Sequence, residues 1–585
     1  MLKKISLGQG QDRVAEEAIK NAKLNGYWVM LENCHLYPSW MPKLAQICED
    51  LADPSQEGNI HAGFRLWLTT YPSEDFPMTV LQNSIKMSNE PPEGLSTNLE
   101  LSYKSLPLSD MDFFENHHNP TQFKTLIYSL CLFHSIIQER RSFGSIGWNI
   151  YYDFNMSDLR VSLLNLKEFT KGNPNNIPFK ALYYMIGECN YGGRVTDYHD
   201  RRLLQTLLQD VLSHKVLYSG HHFFDIEEYE VPPVGTYNSY LEFISKLPLE
   251  QPPELYGLHN NALISKAVQD TDVITKKLIG IVGTPSSAFK EDGGSGDEEE
   301  KAIAPILELK NKIPSRFIEK MVSTKYPVLY EESMNTVLQQ EVARFNRLID
   351  RIIFSLSQLV DALKGDIVMS NELEEMAESI NQKRIPKIWL EVSYPSLKPL
   401  ASYIDDLSQR IDFFNRWIEE GIPKLFWISG FFFTQSFLTG VSQNYARKYK
   451  VSIDQLDYSF EFGYPITEDV KTTEEKLDRP NDGCYIYGLY FEGCAWDAND
   501  KRLIECRGRE TMCPAPIILI LPTEEKRRDS RSEYHCPVYK TMERKGVLST
   551  TGHSTNYILS IDVYTDLDPK TWIKRGVALI CQLSE

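Results

Sequence analysis

GYWVMLENCHL, residues 26–36, is a short apolar run that ends in an acid, an amide, a thiol and an imidazole. Its flanks give it meaning. Before it, GQDRVAEEAIKNAKL at 10–24 reads as an amphipathic helix, with Val14, Ala18 and Ala22 on one face and charges on the other, and Gly26 stops it. After it come a helix around WMPKLAQICEDL, a polar loop and a second apolar strand, FRLWLTT at 64–70. Helix, strand, helix, strand is the alternation of a parallel α/β layer. WVML and LWL are apolar at consecutive positions, so a sheet covered on both faces is expected.

In a nucleotide-hydrolysing fold such a strand carries the carboxylate that holds magnesium, which makes Glu32 the first candidate. Phosphate binding also needs a glycine-rich turn at a helix N-terminus and a lysine that reaches the outer phosphates. The dipeptide Gly-Lys occurs nowhere in the sequence. SLGQGQ at 6–11 precedes a helix but lacks the lysine and the magnesium-binding hydroxyl, so it reads as a loop-to-helix turn. Glu32 and Asn33, with Thr69 and Thr70 at the tip of the next strand, are then degenerate nucleotide-site positions. Their expected role is to satisfy polar groups.

Composition bounds the rest. At 585 residues the chain is too long for one core and suggests roughly four domains. With 42% hydrophobic, 24% charged and 11% aromatic residues it is an ordinary globular chain. A formal charge of -18 and a pI near 5.3 argue against a broad grip on nucleic acid, anionic membrane or an acidic filament. Ten scattered cysteines with no C-x-x-C pair fit a reducing compartment, hence the cytoplasm. The N-terminus lacks a secretory signal, and FWISGFFF and PIILILP are far shorter than a membrane span of about 20 residues.

Along the chain, 1–120 reads as the α/β layer and 121–262 as an all-α block. GTPSSAFKEDGGSGDEEE, 283–300, reads as a flexible linker inside a helical region at 263–475. There Leu338, Val342, Phe345, Ile349, Ile352, Leu356, Leu359 and Leu363 step by four and three, a seam along a helix of roughly 45 Å. Leu400, Ile404, Leu407, Ile411, Phe414 and Ile418 repeat the rhythm, and an antiparallel intramolecular pair is favoured over a coiled coil with another chain. A third apolar helix lies near 430–449. From 476 to 585, CYIYGLYFEGCAWD, PIILILP, HCPVYKT, NYILSIDVY and GVALICQL read as strands of a small antiparallel sandwich or β-barrel.

Other constellations favour structural roles. Neither Cys34–His35 nor His535–Cys536 completes a tetrahedral metal set, and the pairs at 117–118 and 221–222 read as solvated loop histidines. LSTTGHSTN, 548–556, places His553 among five hydroxyls without an orienting acid or a G-x-S-x-G elbow, so a turn is favoured over a hydrolase site. GECNYGGRVTDYHDRR, 187–202, concentrates Glu188, Arg194, Asp197, Asp200, Arg201 and Arg202 around a Gly-Gly. Ion pairs fixing this loop against a neighbouring domain explain it better than acid–base catalysis.

These and longer motifs together resemble a family. ISLGQGQ, GYWVMLENCHLYPSWMP, FRLWLTTYPSEDFPMTVLQNSIKMSNEPPEGL, FHSIIQERRSFGSIGWNI, GECNYGGRVTD, YPSLKPLASYIDDL, FWISGFFFTQSFLTGVSQNYARKY, CPVYKTMERKGVLSTTGHSTNYILSID and WIKRGVALICQL, in order over nearly the whole chain, resemble the C-terminal part of dynein heavy chains. The last three resemble axonemal chains, in particular the single-headed inner-arm kind.

The resemblance implies the second half of a sixth AAA+ module without a P-loop, its helical lid, and a C-terminal domain of helices and a small barrel lying across the motor ring. It implies a non-catalytic segment, not an enzyme by itself, of an ATP-driven, minus-end-directed microtubule motor of the cilium or flagellum axoneme. ATP and magnesium would belong to modules upstream, and the chain would begin midway through the sixth. Its partners would be the remainder of the ring. Intermediate and light chains and axonemal microtubules would be reached through regions outside this stretch. The competing class is an independent degenerate ATPase or hydrolase using Glu32 or His553.

Overall fold

The computed structural model describes residues 2–8, 10–52, 60–71, 73, 76–87, 92–172, 177–218, 220–282, 296–463, 469–524, 532–547 and 554–584. The chain forms two compact units, Met1–Pro91 and Pro92–Glu585.

In the first unit, β1 (Leu2–Ser6), β2 (Trp28–Glu32) and β3 (Arg65–Leu68) pair in parallel in that order. β1 carries no hydropathy signal, because LKKIS buries only Ile5; pairing with β2, Ile5 opposite Leu31, makes it a strand. The helix Asp12–Asn25 ends at Gly26 with φ 70° and buries Ala15, Ala18, Ile19 and Ala22. Val14, placed on the inner face by the periodicity, is exposed. Nor are both faces of the sheet covered among the described residues. Val29 and Leu31 are buried, whereas Trp28 and Trp67 on the opposite face are exposed with ring centroids 5.9 Å apart. A period of two sends consecutive apolar residues to opposite faces, so an apolar run alone does not prove two-sided burial.

The second unit opens with helices. Leu95, Leu99, Tyr103, Phe113 and Phe114 share a core with the helix Pro120–Glu139, so the first compact unit ends at Pro91 and not near 120. That helix is buried from Phe123 to Gln138 and is the hub for Met156–Phe169 and Tyr198–Val211. Side chains cap both partners, a capping box of Asn155 with Asp158 and the carboxylate of Asp197 respectively. Of the expected linker 283–300, residues 283–295 lie outside the described residues, and a helix, Gly296–Lys312, begins within the remainder.

The long seam is one 31-residue helix, Ser333–Leu363. Its stripe from Leu338 to Leu359 is buried in the same core as the stripe of Leu400–Glu420, with Phe345 and Phe414 5.4 Å apart, so both are covered within this chain. Fully buried Glu341 accepts hydrogen bonds from the N–H groups of Phe432 (2.6 Å) and Phe433 (3.1 Å), fixing the turn before the helix Thr434–Tyr449.

The remaining strands are β4 (Leu425–Trp427), β5 (Asp457–Phe462), β6 (Cys484–Tyr487), β7 (Tyr490–Glu492), β8 (Ala495–Asp497), β9 (Arg502–Ile504), β10 (Met512–Pro514), β11 (Ile518–Thr523), β12 (Glu533–Thr541), β13 (Tyr557–Tyr564) and β14 (Ala578–Gln582). They form open sheets in the orders β10-β7-β14-β12-β13 and β4-β6-β11-β5, with a β8-β9 ribbon. Among the described residues these sheets do not close on one another, so the expected small β-barrel is not seen. β4 and β5 are recruited from before residue 476, and two pairs, β4–β6 and β12–β14, are parallel. Each sheet keeps two edges, one of them the three-residue β10, which ends at Pro514, a residue unable to donate to a further strand.

Candidate functional site

The strand ends of the first unit bring Asn33 and Thr69 together. Asn33 donates its backbone N–H to Thr69 Oγ1 at 3.1 Å and its side-chain amide to Ser6 Oγ at 3.4 Å. The Glu32 carbonyl accepts from Leu7 N at 2.8 Å, and Thr70 Oγ1 donates to the Tyr71 carbonyl at 2.8 Å. Asn33, Thr69 and Thr70 thus spend these groups on closing loops onto one another. His553 lies outside the described residues. His117, expected in solvent, stacks on Phe123 at 4.2 Å and has its Nε2 3.4 Å from the Lys167 carbonyl; burial lowers its pKa. His221 and His222 are half-buried. Among the described residues no group of three His, Cys, Asp or Glu could hold a metal ion, and no helix is long and apolar enough to cross a membrane.

The residues singled out at 187–202 divide into two sets. Glu188 accepts from Gln205 at 3.0 Å, Arg194 pairs with Asp158 at 2.8 Å, and Arg201 donates to the Val195 carbonyl at 3.0 Å, all inside the helical block. Asp197, Asp200 and Arg202 face the C-terminal sheets. Asp197 Oδ1 caps its helix by accepting from His199 N and Asp200 N, at 2.9 and 3.1 Å. Asp200 accepts from the N–H groups of Asn149 (3.0 Å) and Ile150 (3.2 Å) and from the Tyr152 hydroxyl (2.9 Å). Arg202 donates across to the His535 carbonyl at 3.2 Å and the Tyr534 hydroxyl at 3.4 Å.

Other residues complete this seam. Asn149 donates its amide to Asp197 Oδ1 at 3.2 Å and to the Tyr539 hydroxyl at 2.9 Å. Arg544, held by Glu492 at 2.5 Å, reaches Asn149 Oδ1 at 3.5 Å. Fully buried Arg140 donates to the carbonyls of Gly147 (3.2 Å), Ile146 (3.3 Å) and Tyr256 from its own side and to that of Lys574 (3.0 Å) on the other. Ser145 donates to the Glu543 carbonyl at 2.9 Å. A cavity of about 30 Å³ is lined by Asn149, His199, Asp200, Arg202, Tyr539 and Arg544, among others.

Burial, then the neighbouring Asp197, push the Asp200 carboxyl up to about 7 against the pull of its three donors. Burial also lowers the Arg140 guanidinium to about 9. Ion pairs were the expected glue; what crosses is mainly guanidinium-to-carbonyl and amide-to-phenol hydrogen bonds, with the partly exposed Lys574–Asp210 pair at 2.7 Å. The four carbonyls around Arg140 engage all three of its guanidinium nitrogens without a second charge bonded to it.

The two sides of the seam each match a family model. Residues 123–262 match the AAA lid domain of the dynein heavy chain and residues 268–581 its C-terminal domain, while residues 1–88 match the dynein heavy chain region D6 P-loop domain. The chain belongs to the dynein heavy chain family. It is 47% identical over 580 residues to dynein axonemal heavy chain 3 of Mus musculus, covering 99% of this chain and 14% of that protein. It is 48% identical over 583 residues to dynein axonemal heavy chain 12 of Homo sapiens, covering 99% and 18%, and 45% identical over 585 residues to human dynein axonemal heavy chain 1, covering 100% and 13%. The chain thus spans less than a fifth of the length of these relatives. In dynein terms, Arg140, Asn149, Asp200 and Arg202 lie in the lid match, and Tyr534, Tyr539, Arg544 and Lys574 in the C-terminal match.

Proposed function

We propose that this chain is a non-catalytic C-terminal part of an axonemal dynein heavy chain that braces and regulates the AAA+ ring of an ATP-driven, minus-end-directed microtubule motor in the cilium or flagellum. The observation that carries this reading is the buried polar seam between the lid match and the C-terminal match, in which Arg140, Asn149 and Arg202 reach across to Lys574, Tyr539 and Tyr534. Such a network gives a specific, stiff junction, because every buried donor that loses its partner costs about 1–3 kcal/mol. A stiff junction passes on rotation of the lid instead of absorbing it.

The residues in nucleotide-site positions support the non-catalytic part. Asn33, Thr69 and Thr70 bond to loop atoms, and no Gly-Lys is present in residues 1–88. ATP hydrolysis with magnesium is assigned to other modules of the ring, and contact with microtubules, intermediate chains and light chains to other regions of the heavy chain. The two long helices with buried stripes are read as an antiparallel pair that stiffens the C-terminal side.

Calorimetric titration of the chain with magnesium-ATP tests the non-catalytic assignment. No saturable heat is expected up to millimolar nucleotide; saturable, magnesium-dependent binding in the micromolar range overturns it.

A further inference from the structure

Two carboxylates lie side by side under the C-terminal sheets. Asn149 touches both, through its backbone N–H to Asp200 Oδ1 at 3.0 Å and its side-chain amide to Asp197 Oδ1 at 3.2 Å. Asp197 is 1% and Asp200 2% exposed. Asp197 Oδ2 is buried and has no hydrogen bond among the described residues. Neither carboxylate makes a direct ion pair among the described residues, although the Arg140 charge lies near enough to Asp200 for the two to attract; the hydrogen bonds of the nearby cations go to other partners. Arg544 holds Glu492, Arg202 holds the His535 carbonyl and the Tyr534 hydroxyl, Arg140 holds four carbonyls and Lys574 holds Asp210.

The other titratable groups around the pair are Tyr152 from the loop before the helix Met156–Phe169, Tyr539 from β12, and His199 from their own helix. Tyr152 donates to Asp200, Tyr539 bonds Asn149, and His199 packs against Tyr557 at 5.2 Å. Burial beside a second carboxylate, with no cation bonded to it directly, favours the protonated form of Asp200. On the side of the apposed domain, Asp200 shares a small cavity with Tyr534, Tyr539 and Arg544, and both carboxylates lie near enough to Tyr539 to add to the rise that burial causes in the pKa of its hydroxyl.

We propose that the contact between the lid and the C-terminal domain is a proton-controlled latch, closed while Asp200, buried beside Asp197, holds a proton and loosened when it is charged. This rests on the bracing role proposed above and adds its control. The sign follows from linkage. In the closed form Asp200 is pushed up to about 7, by burial first and by Asp197 second. Opening the seam hydrates the pair and returns Asp200 toward its ordinary 3.8, so the open form releases a proton that the closed form keeps between these values. Alkaline conditions therefore favour opening. With those two values the opening constant rises about tenfold between pH 6 and pH 8 and levels off above.

Hydrogen exchange on the whole 585-residue chain at pH 6, 7 and 8, divided by the intrinsic exchange rate at each pH, tests this at residues 144–152 and 533–541. About tenfold more opening at pH 8 than at pH 6 is expected for the natural sequence, and a flat profile for Asp200→Asn. Asp197→Asn, which removes the repulsion and keeps Asp200, is expected to move the rise to lower pH and serves if Asp200→Asn does not fold. A natural sequence whose corrected exchange does not change with pH overturns the latch, as does an Asp197→Asn profile that coincides with it. Tyr539→Phe separates the two ideas, because it removes a bond across the seam and leaves both carboxylates. It is expected to raise opening at every pH with the same slope, and no change in it counts against the bracing role alone.

Discussion

Arg140 Nη2 donates to the carbonyl of Lys574 at 3.0 Å, joining positions 434 apart in sequence through a guanidinium with no exposed surface. Arg140 follows directly on the C-terminal end of the most buried helix of the lid match, and Lys574 ends the helix Pro569–Lys574 just before β14. One side chain thus ties the hub of one domain to the central sheet of the next.

Arg140→Ala leaves four carbonyls without their donor and a buried void. A loss of about 3 kcal/mol or more is expected. Arg140→Lys recovers only part of it, because a single ammonium cannot reproduce the planar fork that spans four acceptors. Denaturant unfolding of the full chain measures both; equal midpoints for Arg140→Ala and the natural sequence contradict the assigned role.

Gly576 lies at the same crossing with φ 64°, and a Cβ there would meet the Ile146 carbonyl oxygen at 2.3 Å. Gly365 has a similar φ, 79°, and nothing within 4 Å of its Cβ. Gly365→Ala is therefore expected to cost only the backbone strain, about 1 kcal/mol, and Gly576→Ala clearly more because two backbones must separate. Thermal melts of the two variants under one condition give the difference.

Ile352 is fully buried in the middle of the helix Ser333–Leu363. Ile352→Ala is expected to cost about 2–5 kcal/mol, as for other large-to-small changes in a packed core, and Ile352→Pro about 3 kcal/mol or more through the lost helix hydrogen bond and the ring clash. An unchanged melt for either variant rules out the seam as part of the core.

Thiol chemistry follows burial. Cys189 is exposed, while burial first of all pushes Cys34, Cys48 and Cys506 up to about 11 and raises Cys131 and Cys484 further. The thiolate is the reactive form, so at pH 8 Cys189 is expected to react with a small alkylating reagent well ahead of these five, and all ten after denaturation. Of these five, Cys48, which is only partly buried, should be the first to follow as the pH is raised toward 11. Peptide mapping of the native protein that finds Cys34 or Cys131 labelled as fast as Cys189 contradicts the packing.

Sequence periodicity located the long elements. The four-and-three spacing from Leu338 to Leu359 corresponds to a buried face, because burial repeats with the helix turn. β1 was not legible, since LKKIS owes its state to pairing with β2 and not to hydropathy. β4 was missed because Leu425–Trp427 is too short to show alternation, whereas in β5 Tyr458, Phe460 and Phe462 alternate with polar residues and the strand was there to be read. The polar cluster at 187–202 was visible, but the partners of its Arg202, Tyr534 and His535, lie more than three hundred positions away, beyond any local pattern. Barrel closure depends on edge pairing, and runs of Tyr, Ile and Val do not encode which strand ends up at an edge.

The most direct test of the bracing role is a double-mutant cycle on Asn149 and Tyr539, whose amide and hydroxyl meet at 2.9 Å across the seam. Unfolding free energies of Asn149→Ala, Tyr539→Phe and the double variant give the coupling. Coupling of about 1 kcal/mol is expected, the size of a buried hydrogen bond. Strict additivity of the two substitutions would mean that the lid and the C-terminal domain are not energetically joined there, and would contradict the account.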